Sequence, residues 1–414
     1  MYEYFYPPKE EEFIPTKSDI LSQPSRIDFS LLSTTPPVDP PVFAGSGPKK
    51  PFRILCLDGG GIRGILQAAI LGRIVKLYPE FVDQIDMFAG TSAGSFNVSA
   101  LATGRTPTEL LNIWLNNAAN IFHESYWKRT TTMDNTLSAA FDAAPIRDMA
   151  ISIVGQTTLG QVKKKILIPA FNLDPSSTRK EEQKATKSDT ISGLKPPITT
   201  ATGDLTQQLL RMRIPRACGG WSDDPRWFPE YFHNFDSSDN ADTLLADACL
   251  RSAAAPTYFP IYQGYVDGGV FANNPSLAAI TSCICEGVQL SDICVLSLST
   301  GNNPHHIPKE MFGDGNWGVY QWGMNLINLL MDSTSCAATH QSACLLGEQF
   351  YRIDPRLTSD IDLADSSAAT IDMLLKIASE VDLEPVVEWL KIYWGSGGET
   401  SAPKERLEYD WMLL

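Results

Sequence analysis

Short apolar runs and helical periods alternate along the centre of the chain. Residues 53–57 (Arg-Ile-Leu-Cys-Leu) form a short apolar run that ends on glycines, the pattern of a buried strand. Helical spacing follows from Ile62 to about Leu77. The pattern then repeats, with residues 86–89 predicting a second short strand and residues 93–102 a second helix. Residues 165–171 and 293–298 are further runs of the buried-strand type. Strand–turn–helix units in series predict an α/β fold with a mostly parallel sheet, because parallel neighbours need crossovers that cover the sheet faces.

The flanks of this pattern read differently. Residues 1–50 carry Pro7-Pro8, Pro36-Pro37 and Pro40-Pro41 among serines and charges, which predicts an extended leader with little core of its own. Residues 174–226 lose apolar periodicity and predict a surface insertion. After Thr300 the chain is expected to be mainly helical, with Ile371, Leu374, Leu375, Ala378 and Val381 at helical spacing. The predicted organisation is therefore a leader (1–50), a catalytic domain (51–360) and a helical segment packed on it (361–414). Residues 317–330 mix Trp, Tyr and aliphatic residues. They suit an interfacial helix, but the absence of a basic polar face favours a core helix.

Composition narrows the function classes. The 414 residues are 43% hydrophobic and 20% charged, the balance of a globular protein. A formal net charge of −15 opposes general binding to nucleic acid. The eight cysteines show no zinc-like spacing, which predicts free, buried thiols and no metal site. No basic head precedes an apolar run at the N-terminus and no run is long enough to span a bilayer. The expectation is a cytoplasmic protein that meets membranes from their surface.

Three motifs carry candidate chemistry. Gly90-Thr91-Ser92-Ala93-Gly94 falls between a predicted strand and a predicted helix, the setting of a nucleophile elbow. Gly90 and Gly94 leave room for the sharp turn, and the amide of Ala93 opens the helix beneath the Ser92 hydroxyl. Asp58-Gly59-Gly60-Gly61-Ile62-Arg63-Gly64 is a second strand-to-helix loop whose bare amides suit an oxyanion hole, with Arg63 ordering the loop or adding positive potential. Its glycines at 59, 61 and 64 also fit a dinucleotide fingerprint. The acids Asp83 and Asp86, however, precede the second strand instead of closing it.

The third motif is Asp267-Gly268-Gly269. Alone it reads as a tight turn. It gains weight because Ser92 needs a base and the five histidines offer few candidates: His123, His233, His305, His306 and His340. Ser92, Asp267 and His305 stand in the chain order of an α/β-hydrolase triad, so a Ser–His–Asp esterase stays open beside a serine–aspartate arrangement.

Taken together, the three motifs resemble the patatin-like phospholipase family in order and spacing. Further similarity lies in residues 252–260, in Asn273-Asn274-Pro275 and in Tyr351-Arg352-Ile353-Asp354-Pro355. The resemblance implies a three-layer α/β/α fold with a Ser92–Asp267 dyad. It also implies an oxyanion hole at Gly59, Gly60, Gly61, Arg63 and Ala93, with Gly64, Gly90, Gly94, Gly268 and Gly269 supporting the motifs. The implied activity is hydrolysis of acyl esters in membrane or micellar lipid, with no cofactor. A lipid-binding or storage protein on the same fold is the non-enzymatic alternative.

Overall fold

The computed structural model describes residues 51–123, 138–174 and 227–395. The predicted leader and nearly all of the predicted insertion lie outside these residues. Seven strands form one sheet: β1 (Phe52–Leu57), β2 (Met87–Gly90), β3 (Lys165–Asn172), β4 (Phe228–His233), β5 (Tyr265–Asp267), β6 (Ile293–Leu298) and β7 (Phe350–Ile353). Their order is β4-β3-β2-β1-β6-β7, with β5 paired to β3. The pairs from β3 through β2, β1 and β6 to β7 are parallel, whereas β4 and β5 run antiparallel to β3.

Covering helices explain why the strands read as unbroken apolar runs. Alternate residues feed two separate cores. Leu55, Leu57, Phe88, Ile166, Leu296 and Leu298 enter one, while Ile54, Cys56, Met87, Leu167 and Val295 enter the other. The first core is roofed by α1 (Gly64–Leu77), α2 (Ala93–Ala102), α3 (Pro107–Ile121), α4 (Ala143–Val154) and α5 (Leu245–Ser252). The second lies under α6 (Ser276–Cys285) and the C-terminal part of α7 (Val319–Leu346). The result is the three-layer α/β/α architecture with a mostly parallel sheet.

The C-terminal helices α8 (Ala368–Glu380) and α9 (Glu384–Tyr393) join the first core. Trp394 stacks on Phe81 with centroids 5.1 Å apart, and Arg73 of α1 donates to the carbonyls of Ala378 and Val381. All seven described cysteines are free. Cys56, Cys249, Cys283 and Cys294 are buried as expected, but Cys336 and Cys344 are exposed.

The core reading of residues 317–330 is overturned. Trp322, Leu326 and Leu329 are 44%, 45% and 51% exposed, and they recur at helical spacing along one side of α7. Further along the helix, Met331, Ala338 and Leu346 are buried against the body. Among the described residues, no helix is long and apolar enough to cross a membrane.

Candidate active site

The register of β3 assembles the site. Along one side, its residues Lys165, Ile166 and Leu167 pair with β2, and Ala170, Phe171 and Asn172 pair with β5. β2 and β5 therefore run towards each other from opposite directions, and their C-terminal ends lie close together beside β3. The turn after β2 carries Ser92, and β5 ends on Asp267.

Ser92 sits at φ 50°, ψ −121°, a strained backbone for a residue with a side chain. The strain is held by neighbours. A Cβ on Gly90 would strike the Gly94 carbonyl, and one on Gly94 would strike the carbonyls of Leu57 and Asp58. The Ser92 amide donates to Ser252 Oγ at 2.9 Å, and Thr91 Oγ1 donates to the Ala272 carbonyl at 2.7 Å. The elbow is thus tied to both segments that flank the base.

Asp267 is only 3% exposed. Burial pushes its carboxyl up to about 7, opposed by hydrogen bonds from the Gly269 amide and the Ser92 side chain. The amide contact measures 2.6 Å. Gly268 is required where the chain passes the Pro169 carbonyl, which a Cβ would strike.

The glycine loop divides its labour. Gly59 donates its amide to the Asn273 carbonyl at 3.0 Å, so that proton is engaged within the fold. Among the described residues, the amides of Gly60, Gly61 and Ala93 have no hydrogen-bond acceptor. Gly61 and Ala93 line the same cavity as Ser92 and Asp267, whereas Gly59 and Gly60 do not line it. Gly61 adopts φ +58° against the Leu363 carbonyl, which leaves no space for a Cβ. Arg63 is buried and directs its guanidinium to the carbonyls of Gly60 and Gly301 at 3.3 and 3.4 Å. It orders the loop and does not line the cavity. Gly64 packs beneath the loop against Trp114 and Ala93.

Several supports were not singled out in the sequence. Arg352 of β7 binds both oxygens of Asp58, at 2.7 and 3.3 Å, and Ser297 Oγ at 2.8 Å. Gln67 Nε2 donates to the carbonyls of Asp58 and Leu298 at 3.0 Å each. Arg352 and Ser252 fall in segments where family resemblance was visible, but their partners are distant in sequence. Gln67 carries no such signal.

The cavity over Ser92, about 460 Å³ counted together with the solvent at its mouth, is almost wholly apolar, lined by Phe96, Trp114, Ile121, Phe122, Phe259, Met331 and Leu363 among others. Among the described residues, no histidine lines it. His305 Nδ1 meets Asp332 Oδ2 at 2.7 Å and its Nε2 meets Asp360 Oδ1 at 2.9 Å, so both ring nitrogens are engaged away from Ser92.

The family profile described as "Patatin-like phospholipase" matches residues 55–280, more than half of the chain and both candidate reactive residues. The chain belongs to the patatin-like phospholipase family. Its relatives have modest identity over long alignments. It is 26% identical over 372 residues to Protein teg of Priestia megaterium, covering 83% of this chain and 99% of that one. It is 24% identical over 359 residues to an Escherichia coli (strain TW11681) protein named cGAMP-activated phospholipase, covering 81% and 86%. It is 25% identical over 358 residues to Patatin-like protein 1 of Arabidopsis thaliana, covering 78% and 77%. As a patatin-like phospholipase the chain is a lipid hydrolase.

Proposed function

We propose that this patatin-like protein cleaves fatty-acyl esters of phospholipids or related glycerolipids through a Ser92–Asp267 dyad. One observation carries the reading. A serine on a strained elbow opens into an apolar cavity beside a buried carboxyl whose pKa is raised to about 7. An ordinary carboxylate is too weak a base for a hydroxyl, and burial corrects that. The apolar walls suit an acyl chain.

In this mechanism Asp267 takes the Ser92 proton as Oγ attacks the ester carbonyl. The amides of Gly61 and Ala93 receive the negative charge that develops on the carbonyl oxygen. The alcohol leaves with the proton held by Asp267, and the acyl group stays on Ser92. Water then releases the fatty acid by the reverse sequence. A triad has less support, because His305 is occupied by Asp332 and Asp360. The exposed face of Trp322, Leu326 and Leu329 lies on the helix that supplies Met331 to the cavity, which supports contact with a lipid surface.

The test compares wild type with Ser92→Ala on mixed-lipid vesicles, reading released fatty acids by mass spectrometry. A fluorophosphonate probe should label wild type and not the variant. Fatty-acid release or labelling that survives Ser92→Ala overturns the reading.

A further inference from the structure

Beside the dyad lies a side chain without an assigned role. Asn273 is 7% exposed and stands six residues after Asp267, beyond the short helix Gly269–Ala272. Its position is fixed at two points. Its carbonyl accepts from the Gly59 amide at 3.0 Å, and its Nδ2 donates to Ser335 Oγ of α7 at 2.9 Å. Its remaining side-chain polar atom, Oδ1, receives no hydrogen bond from any described residue.

That oxygen lies close to two glycines that also neighbour the dyad. A Cβ on Gly59 would stand 2.5 Å from Asn273 Oδ1 and 3.1 Å from Ser92 Cβ. A Cβ on Gly269 would stand 3.0 Å from Asn273 Oδ1 and 3.0 Å from Asp267 Oδ1. One oxygen therefore lies across a single glycine Cβ position from each member of the dyad, and the two glycines leave that space open. A buried acceptor without a donor is unfavourable unless a hydrogen-bonding molecule reaches it. Ester hydrolysis brings such a molecule to this place once per turnover, because water must meet Asp267 and the acyl carbon together.

We propose that Asn273 Oδ1 is a second acceptor for the hydrolytic water and so acts in deacylation. The inference rests on the dyad reading above. Water adds to the acyl carbon of the Ser92 ester, forming a new carbon–oxygen bond. One of its protons passes to Asp267, and its other O–H donates a hydrogen bond to Asn273 Oδ1. The tetrahedral adduct collapses, the bond between carbon and Ser92 Oγ breaks, and Asp267 returns the proton to Oγ as the acid leaves. Acylation moves only the Ser92 proton, for which Asp267 suffices. The two half-reactions therefore depend unequally on Asn273.

Stopped-flow hydrolysis of p-nitrophenyl butyrate separates them, since the burst reports acylation and the steady phase reports deacylation. In Asn273→Leu the steady phase should slow about 10-fold or more, the scale expected when a positioned reactant loses one of its contacts. The burst and the rate of fluorophosphonate labelling should stay close to wild type. Ser335→Ala removes the tether to α7 but keeps Oδ1, and it should leave the ratio of the two phases unchanged. Asn273→Ala is read the same way if the leucine variant does not fold. Equal slowing of both phases, no slowing, or an equal selective effect in Ser335→Ala overturns the proposal. A burst that persists in Ser92→Ala would instead sink the dyad reading itself.

Discussion

The amide of Gly59 donates to the carbonyl of Asn273 over 3.0 Å, fastening the first glycine of the loop to the segment that follows the base. That bond takes one of three glycine amides out of the pool of candidate oxyanion donors. It also explains the division of the loop into a fastened entry and an open middle. The donor that faces the cavity, Gly61, is held in a left-handed conformation against Leu363.

Gly61→Ala is expected to cost far more activity than stability. A left-handed backbone costs an alanine about 1–2 kcal/mol, and its Cβ would push the loop off the Leu363 carbonyl. Displacing an oxyanion donor typically costs roughly 100- to 1000-fold in kcat. Gly72→Ala is the control, because Gly72 lies within α1, its nearest neighbour is 3.9 Å away and helix propensity favours alanine. Turnover of a p-nitrophenyl ester and the melting temperature of both variants check this. Near-normal turnover in folded Gly61→Ala would remove Gly61 from the oxyanion hole.

Asp267→Asn should abolish turnover and stabilise the fold at alkaline pH. The folded state raises this carboxyl to about 7, so native protein binds its proton more tightly than the unfolded chain does. Stability from this group is present at low pH and falls as pH rises from the unfolded value towards 7. Above that, the native state carries a buried charge that asparagine lacks. The gain in melting temperature should therefore be largest near pH 8 and vanish near pH 4. In wild type, kcat should rise through an apparent pKa near 7 as the base ionises. A pH-independent stability difference would show that Asp267 is not shifted.

Much of this site was legible in the sequence, and the part that was not has a physical reason. Gly90, Ser92 and Gly94 are neighbours, and their steric demands act within one turn, so pentapeptide and setting suffice. The strands β1, β2, β3 and β6 are buried on both faces and read as apolar runs. β5 is three residues long and β4 only partly buried, so neither carries a distinctive period. The antiparallel pairing of β5 with β3 is nonetheless what brings Asp267 to Ser92. Gly59 illustrates the same limit, since its acceptor is more than two hundred residues away. The core reading of residues 317–330 failed because apolar periodicity reports a face, not what covers it.

Arg352→Met should be strongly destabilising, by about 3–5 kcal/mol, the usual result of removing one partner from a buried ion pair. Burial pushes Asp58 up to about 6 and Arg352 opposes that shift. Without Arg352, Asp58 should take up a proton more readily. The deficit should be largest above neutrality and shrink as pH falls and the carboxyl becomes neutral. Adding Asp58→Asn should recover part of the loss, because no unpaired charge then remains. Denaturant midpoints at pH 5 and pH 8 for the single and double variants measure this. Additive losses would mean that the 2.7 Å pair contributes no coupling.

The last prediction concerns His305 and separates a dyad from a triad. Its hydrogen bond to Asp332 raises its pKa, Asp360 adds to that, and partial burial works against both. Charged His305 thereby joins α7 to the segment whose Leu363 borders the cavity. Because the folded pKa is raised, this contribution to stability is fully present below the unfolded value and is lost as pH rises through the folded one. His305→Ala should therefore lower the melting temperature at pH 6 and have little effect at pH 9. Its turnover at pH 8 should stay within several-fold of wild type, since neither ring nitrogen reaches Ser92. A triad demands a different result, because removing its general base costs orders of magnitude at every pH. If folded His305→Ala loses activity on that scale while its pH-dependent stability is unchanged, the histidine is the base and Asp267 is not.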